Sequence, residues 1–182
     1  QRTVDYIEHA MPDALGFDSQ RELIDFALTA TKIEDHYLEF GVYKGGTIRF
    51  IASRLSKRVI HGFDSFEGLP EAWGGFNLGR SAFDVRGKLP RVPENVRLHR
   101  GWFEETLPLW LKDNSGPAAF LHIDCDLYSS TQTILNLLSD RIVPGTVILF
   151  DEYFNFPNWE NHEFKAFKEF VACKAVKYTY LG

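Results

Sequence analysis

Three observations on this 182-residue chain predict an α/β fold with a Rossmann-like, doubly wound, mostly parallel sheet. Short apolar runs alternate five times with amphipathic segments. The runs are apolar on both faces rather than at every second residue. The first of them ends in a glycine-rich turn that opens a helix. Strands buried on both sides belong to parallel sheets covered by helices on each face. In such sheets ligands sit beyond the carboxyl ends of the strands. Chemistry is therefore expected just after Val42, Phe63, Arg100, Ile123 and Phe150.

The elements follow in order. Ser19 opens a helix with Glu22 three residues on, a capping-box pattern, and Leu23, Ile24, Phe26 and Ala27 supply its apolar stripe. Strands are predicted at 36–42, 59–63, 96–100, 118–123 and 146–150, the last entered through Pro144-Gly145, with a final strand at 176–181. Helices are predicted at 47–55, around 108–112, at 129–138 (Ser129 and Gln132 at capping-box spacing) and at 162–171. Residues 68–95 are rich in glycine and proline and match no element. Loops of that length are uncommon unless functional, and with Trp73, Phe76 and Phe83 as apolar anchors this one reads as a substrate lid.

An apolar fraction of 45% and a charged fraction of 25% fit one folded domain spanning 1–182. The net charge of −5 lacks the basic footprint of a nucleic-acid binder. No apolar run approaches the ~20 residues that span a bilayer. Cys125 and Cys173 are too few for a disulfide framework. Nothing at the N-terminus reads as a secretory signal, so a cytoplasmic protein with no membrane partner is expected.

The chemistry concentrates at the strand ends. Glu39, Gly41, Gly45 and Gly46 surround the first strand-to-helix turn, where glycines admit a close ligand and the helix N-terminus offers free N–H groups. Three residues separate Gly41 from Gly45, unlike the dinucleotide fingerprint, and the acid before the first glycine suits a cationic ligand. Asp64 ends the second strand, where a carboxylate can accept both hydroxyls of a ribose. Together they point to an adenosine ligand. Asp124 and Asp126 follow the fourth strand, and Asp151 and Glu152 the fifth. If those strands are neighbours, Asp124, Asp151 and Glu152 converge, and carboxylates so placed call for a hard cation, Mg²⁺ first. His36, His61, His99 and His122 read as packed or hydrogen-bonded residues of the sheet. His162 could return over the pocket as a base. Cys125, set between acids, is a poor thiolate, and Tyr153, Phe154, Phe156 and Trp159 could form an apolar wall.

The segments LEFGVYKGGT, GFDSFEGLP, GWFEETLP, HIDCDLYSST and VPGTVILFDEYFN, in that order, resemble the macrocin O-methyltransferase family of class I methyltransferases. The resemblance runs from about Ser19 to Phe170. It implies dependence on S-adenosylmethionine and Mg²⁺ and methylation of a small-molecule hydroxyl of sugar or natural-product type. It places the methionine end of the cofactor near Glu39, Gly41 and Gly45, the ribose on Asp64, the adenosine beside Ser65 and Phe66, and the adenine against Trp102 and Phe103. It places the metal on Asp124 and Asp151, with Glu152 where the family commonly has Asp. For the reaction itself, Asp124 or His162 is expected to take the proton of the acceptor hydroxyl. The family sheet closes with two further strands, one antiparallel. This chain reaches the first of these, so the C-terminal strands are expected to be incomplete, with the edge completed by more chain or by a partner in a homo-oligomer. Two rival readings are a nicotinamide-dependent Rossmann oxidoreductase and a catalytically silent adenosyl-binding module.

Overall fold

The computed structural model describes residues 2–74 and 76–182. Five strands, β1 (His36–Phe40), β2 (Ile60–Asp64), β3 (Val96–Arg100), β4 (Ala118–Ile123) and β5 (Val147–Phe150), form one sheet in the order β3-β2-β1-β4-β5. Every pairing is parallel. The helices are α1 (Arg2–Ala10), α2 (Gln20–Ala30), α3 (Gly46–Arg54), α4 (Phe103–Asp113), α5 (Tyr128–Leu137) and α6 (Glu163–Lys174), with a 3₁₀ turn at Trp159–Asn161. The order reverses between β1 and β4, so the crevice of a doubly wound sheet opens there.

Side-chain alternation divides the core into two layers. Leu38, Phe40, Phe63, Leu121 and Ile123 face α4, α5 and α6, meeting Leu107, Ile134, Phe167 and Phe170. Tyr37, Ile60, Phe120 and Leu149 face α2 and α3, meeting Ile24, Ala27, Ile48 and Ile51. All six residues of β4 are buried, as the central strand of a two-sided sheet must be. By the same alternation Glu39 and His122, which are register partners, lie on the α2/α3 side.

Several local expectations are corrected. Residues 176–181 form no strand, because no strand lies beside them to accept their backbone bonds. The tyrosines of that segment bond through their side chains instead: Tyr180 Oη meets Tyr6 Oη and Tyr153 Oη, and Lys168 Nζ donates to Tyr178 Oη. α1 was not expected from the sequence; its Tyr6 ring packs edge-on against Trp159 and Phe164. α5 begins one residue early, capped by Leu127 with no side-chain bond, because the Ser129 hydroxyl donates to Glu71 at 2.6 Å. At α2 half of the capping box forms. Ser19 Oγ accepts the Glu22 N–H at 3.3 Å, but the Glu22 carboxylate takes the N–H of Asp18 rather than that of Ser19. α4 starts at Phe103, five residues before Pro108, with Glu104 and Glu105 in the first turn where the helix dipole favours acids.

The 68–95 segment contains no helix or ladder strand among its described residues, only an isolated bridge between Trp73 and Leu78. Leu69 and Trp73 anchor it on Leu127, and Phe76 and Phe83 remain exposed.

Candidate active site

The carboxyl ends of the strands surround a cavity of about 710 Å³, well inside the range of small-molecule sites. Gly41, Asp64, Ser65, Trp102, Phe103, Asp124, Asp151 and Glu152 line it, so most of the expected site residues are brought together.

Its floor is built around Asp64. One carboxylate oxygen accepts the N–H groups of Val42 and Tyr43 at 2.8 and 2.7 Å, and the other accepts that of Phe66 at 2.7 Å. The end of β2 therefore clamps the glycine turn after β1. Gly41 sits there with φ +91°, and a Cβ at this position would lie 1.7 Å from the backbone oxygen of Asp124. Only glycine lets the two strand ends approach this closely. Gly45, at φ +75°, caps α3 and faces the side chains of Arg49 and Pro90 rather than the cavity. Phe66 is fully buried in the α2/α3 layer. Gly45 and Phe66 thus shape the site from behind.

Glu39 lies beneath the cavity, without exposed surface, and forms an ion pair with His122 at 3.4 Å (Oε2 to Nδ1). The other ring nitrogen of His122 is 3.8 Å from Asp151 Oδ1, and Gln20, at the start of α2, donates to the same oxygen. Burial lowers the His122 pKa, but its two carboxylate neighbours more than offset this and push it up to about 10. Burial raises Glu39, with only partial relief from His122. Burial also acts to raise Asp151, but the His122 charge and the Gln20 amide prevail and hold it low. His122 is thus packed in the sheet between Asp151 and a more basic Glu39, within ion-pair distance of both, while its ring nitrogens make no hydrogen bond among the described residues.

The acids at the ends of β4 and β5 fall into two groups whose ligand atoms lie within 4.8 Å of one another: His122, Asp124 and Asp151, and Asp124, Asp126 and Glu152. Asp124 belongs to both, while Asp151 and Glu152 belong to different ones. Asp126 had not been expected to join. By strand alternation Asp126 shares a face with Asp124, two residues before it, and it still lines the cavity where the chain leaves the extended conformation at φ +65°. The DCD spacing was the available signal. Burial, then the charge of Asp151, pushes Asp126 up to about 7. Burial, then Asp151 and Asp126, pushes Glu152 up to about 8, and Asp124 is raised well above its usual value by burial and Asp151. In the group of Asp124, Asp126 and Glu152, oxygen-only donors, mutual repulsion and an unpartnered buried Glu152 Oε2 are the features a hard divalent cation would satisfy.

A pH dependence follows. Asp126 and Glu152 have native pKa values above their ordinary 3.8 and 4.5, so the stability they contribute is complete below about pH 4 and is lost as pH rises through about 7–8. In EDTA the melting temperature should therefore fall between about pH 5 and 8, and saturating Mg²⁺ should oppose that fall. Thermal melts across this range check it, and a flat profile in EDTA would refute the assignment.

His162 caps α6 and does not line the cavity; its ring lies against Phe156 and Trp73, 5.7 and 6.3 Å between centroids. Burial lowers its pKa. Glu71, from the 68–95 segment, lines the cavity with Phe83. Across the opening Phe83 meets Tyr43 edge-on at 5.7 Å. Neither Glu71 nor Tyr43 carried a sequence signal.

A family model described as a methyltransferase domain matches residues 38–153. The chain belongs to that family. This methyltransferase domain is 28% identical over 169 residues to the 8-demethyl-8-(2,3-dimethoxy-alpha-L-rhamnosyl)-tetracenomycin-C 4'-O-methyltransferase of Streptomyces olivaceus, covering 81% of this chain and 63% of that protein. It is 28% identical over 171 residues to the mycinamicin III 3''-O-methyltransferase of Micromonospora griseorubida, covering 81% and 66%. The chain thus spans just under two thirds of the length of these relatives. The crystal structure of a calicheamicin methyltransferase superposes with a TM-score of 0.69 at 23% identity, over 86% of this chain and 72% of that one, which establishes the shared fold. Among the described residues no helix is long and apolar enough to cross a membrane.

Proposed function

We propose that the protein is an S-adenosylmethionine-dependent O-methyltransferase of the macrocin type, cytoplasmic and assisted by Mg²⁺, acting on a hydroxyl of a sugar or natural-product acceptor. The observation that carries this reading is that one cavity joins the Gly41–Asp64 turn to the carboxylates of Asp124, Asp126, Asp151 and Glu152. The named relatives, O-methyltransferases of a rhamnosyl-tetracenomycin and of mycinamicin III, support the same acceptor class.

Asp64, Ser65, Trp102 and Phe103 would hold the adenosine part of the cofactor, and Gly41 would leave room for its methionine part. Asp124, shared by both clusters, would hold the cation together with Asp151 on one side or with Asp126 and Glu152 on the other. When bound, the sulfonium supplies an electrophilic methyl group and the cation lowers the pKa of the acceptor hydroxyl. The chain's own work is orientation and water exclusion. Ring faces of Trp102 and Phe103 fix one end, the carboxylates align the hydroxyl, and Phe83 with Tyr43 covers the opening, which makes residues 68–95 the lid. Asp124 or Asp126 would receive the hydroxyl proton, since both line the cavity. His162 has no surface on the cavity and is left out of this step.

Thermal shift with S-adenosylhomocysteine and with NAD⁺ tests the reading. At 100 times its Kd a ligand stabilises the native state by ~2.7 kcal/mol. Stabilisation by S-adenosylhomocysteine alone is expected. A response to NAD⁺ alone would replace the reading with an oxidoreductase, and cofactor binding without methyl transfer to any acceptor in a sugar and natural-product panel would favour a silent module.

A further inference from the structure

Glu163, the first residue of α6, has no exposed surface and lies directly beneath the loop that carries Asp124 and Asp126. Its Oε1 accepts the backbone N–H of Cys125 at 3.4 Å, and its Oε2 is buried with no hydrogen-bond partner. Burying a carboxyl group is costly unless it is hydrogen-bonded, and here only the bond to Cys125 offsets that cost among the described residues. Cys125 is flanked by the two aspartates, its thiol is within 3.4 Å of the Thr131 hydroxyl, and that hydroxyl in turn donates to Leu127 O. The loop is thus tied at Cys125 from two directions, on its main chain by Glu163 and on its side chain by Thr131. Asp126 leaves this tie in a left-handed conformation at φ +65°, a shape that a non-glycine residue keeps only when its surroundings impose it.

We propose that Glu163 is a positioning residue: by holding the Cys125 amide it sets the angle at which Asp124 and Asp126 enter the cavity, and with it the cation affinity of the site. The inference rests on the metal-assisted methyltransferase reading above. Glu163 itself touches neither the cavity nor the reacting atoms. Burial, with the charges of Glu152, Asp124 and Asp126, raises its pKa well above the usual range. Glutamine has the same shape and keeps an acceptor oxygen at the same place, whereas alanine removes it.

The test compares the full chain with E163Q and E163A for binding of Mn²⁺ alone, followed by its paramagnetic signal, for S-adenosylhomocysteine binding, and for exchange of the amide protons of residues 124–127. E163A should weaken Mn²⁺ binding by ~10- to 100-fold, the usual effect of removing a group that orients a ligand. Its 124–127 amides should exchange faster, while S-adenosylhomocysteine binding changes less than about twofold, since the Asp64 clamp is untouched. E163Q should restore Mn²⁺ affinity and slow exchange to near the parent values. Unchanged exchange in E163A would overturn the proposal, as would equal losses in E163A and E163Q, which would make charge rather than the hydrogen bond the active feature. If the parent protein binds no Mn²⁺, the metal reading fails on its own, and the amide exchange still decides whether Glu163 holds the loop. If E163A does not fold, E163Q decides: parent-like exchange and Mn²⁺ affinity support the proposal, and their loss overturns it.

Discussion

Replacing Asp151 by alanine should lower methyl transfer by at least ~10²-fold, on the scale of removing one strong electrostatic contact from a water-poor active site, while S-adenosylhomocysteine affinity stays within about twofold. The separation follows from geometry. Asp151 ends β5 and meets His122 and Gln20, whereas the residues proposed for adenosine stand at the ends of β2 and β3. The substitution also removes one of the two ion-pair partners of the buried His122, leaving Glu39, so the variant should lose stability at neutral pH as well as activity. Steady-state kinetics beside a cofactor titration separates the two effects. Full activity in this variant, or in excess EDTA, would remove the cation from the mechanism.

Gly41→Ala should be the most damaging small substitution in the chain. At φ +91° the new side chain adopts a conformation that costs roughly 1–2 kcal/mol, and its Cβ would overlap the Asp124 backbone oxygen, 1.7 Å away. Relieving that overlap means separating β1 from β4, at a further ~1–3 kcal/mol. A melting temperature lower by ~10 °C is expected for a domain of this size, together with loss of activity, because Asp124 is the residue displaced. Gly46→Ala is the control. Nothing lies within 4 Å of its added Cβ, and a helix start tolerates alanine, so its melting temperature should stay within about 2 °C of the parent. Equal melting temperatures for the two variants would show that the close approach at Gly41 does not matter.

What the sequence by itself determined was the order of elements and the chemistry at their ends. Apolar runs such as AAFLHI require burial on both faces, which specifies a parallel sheet with helices on each side, and the ligand rule for such sheets then selects Asp64, Asp124, Asp151 and Glu152 without knowledge of any contact. That reasoning works because strand period and burial are local properties of the chain. It fails where a position depends on what stands opposite. Residues 176–181 alternate like a strand, yet no neighbouring strand pairs with them. Glu39 has the type and spacing of a cofactor ligand, and only the register of β1 on β4 shows it paired with His122. Asp126 has the spacing that shares a face with Asp124, but only the structure shows that it still lines the cavity after the chain leaves the extended conformation at φ +65°. His162 is near the site in sequence, but the packing of Trp73 and Phe156 holds its ring aside. Tertiary structure decided these cases for one physical reason. The direction of a side chain at a loop or strand end is set by contacts between segments far apart in the chain, and no local pattern records them.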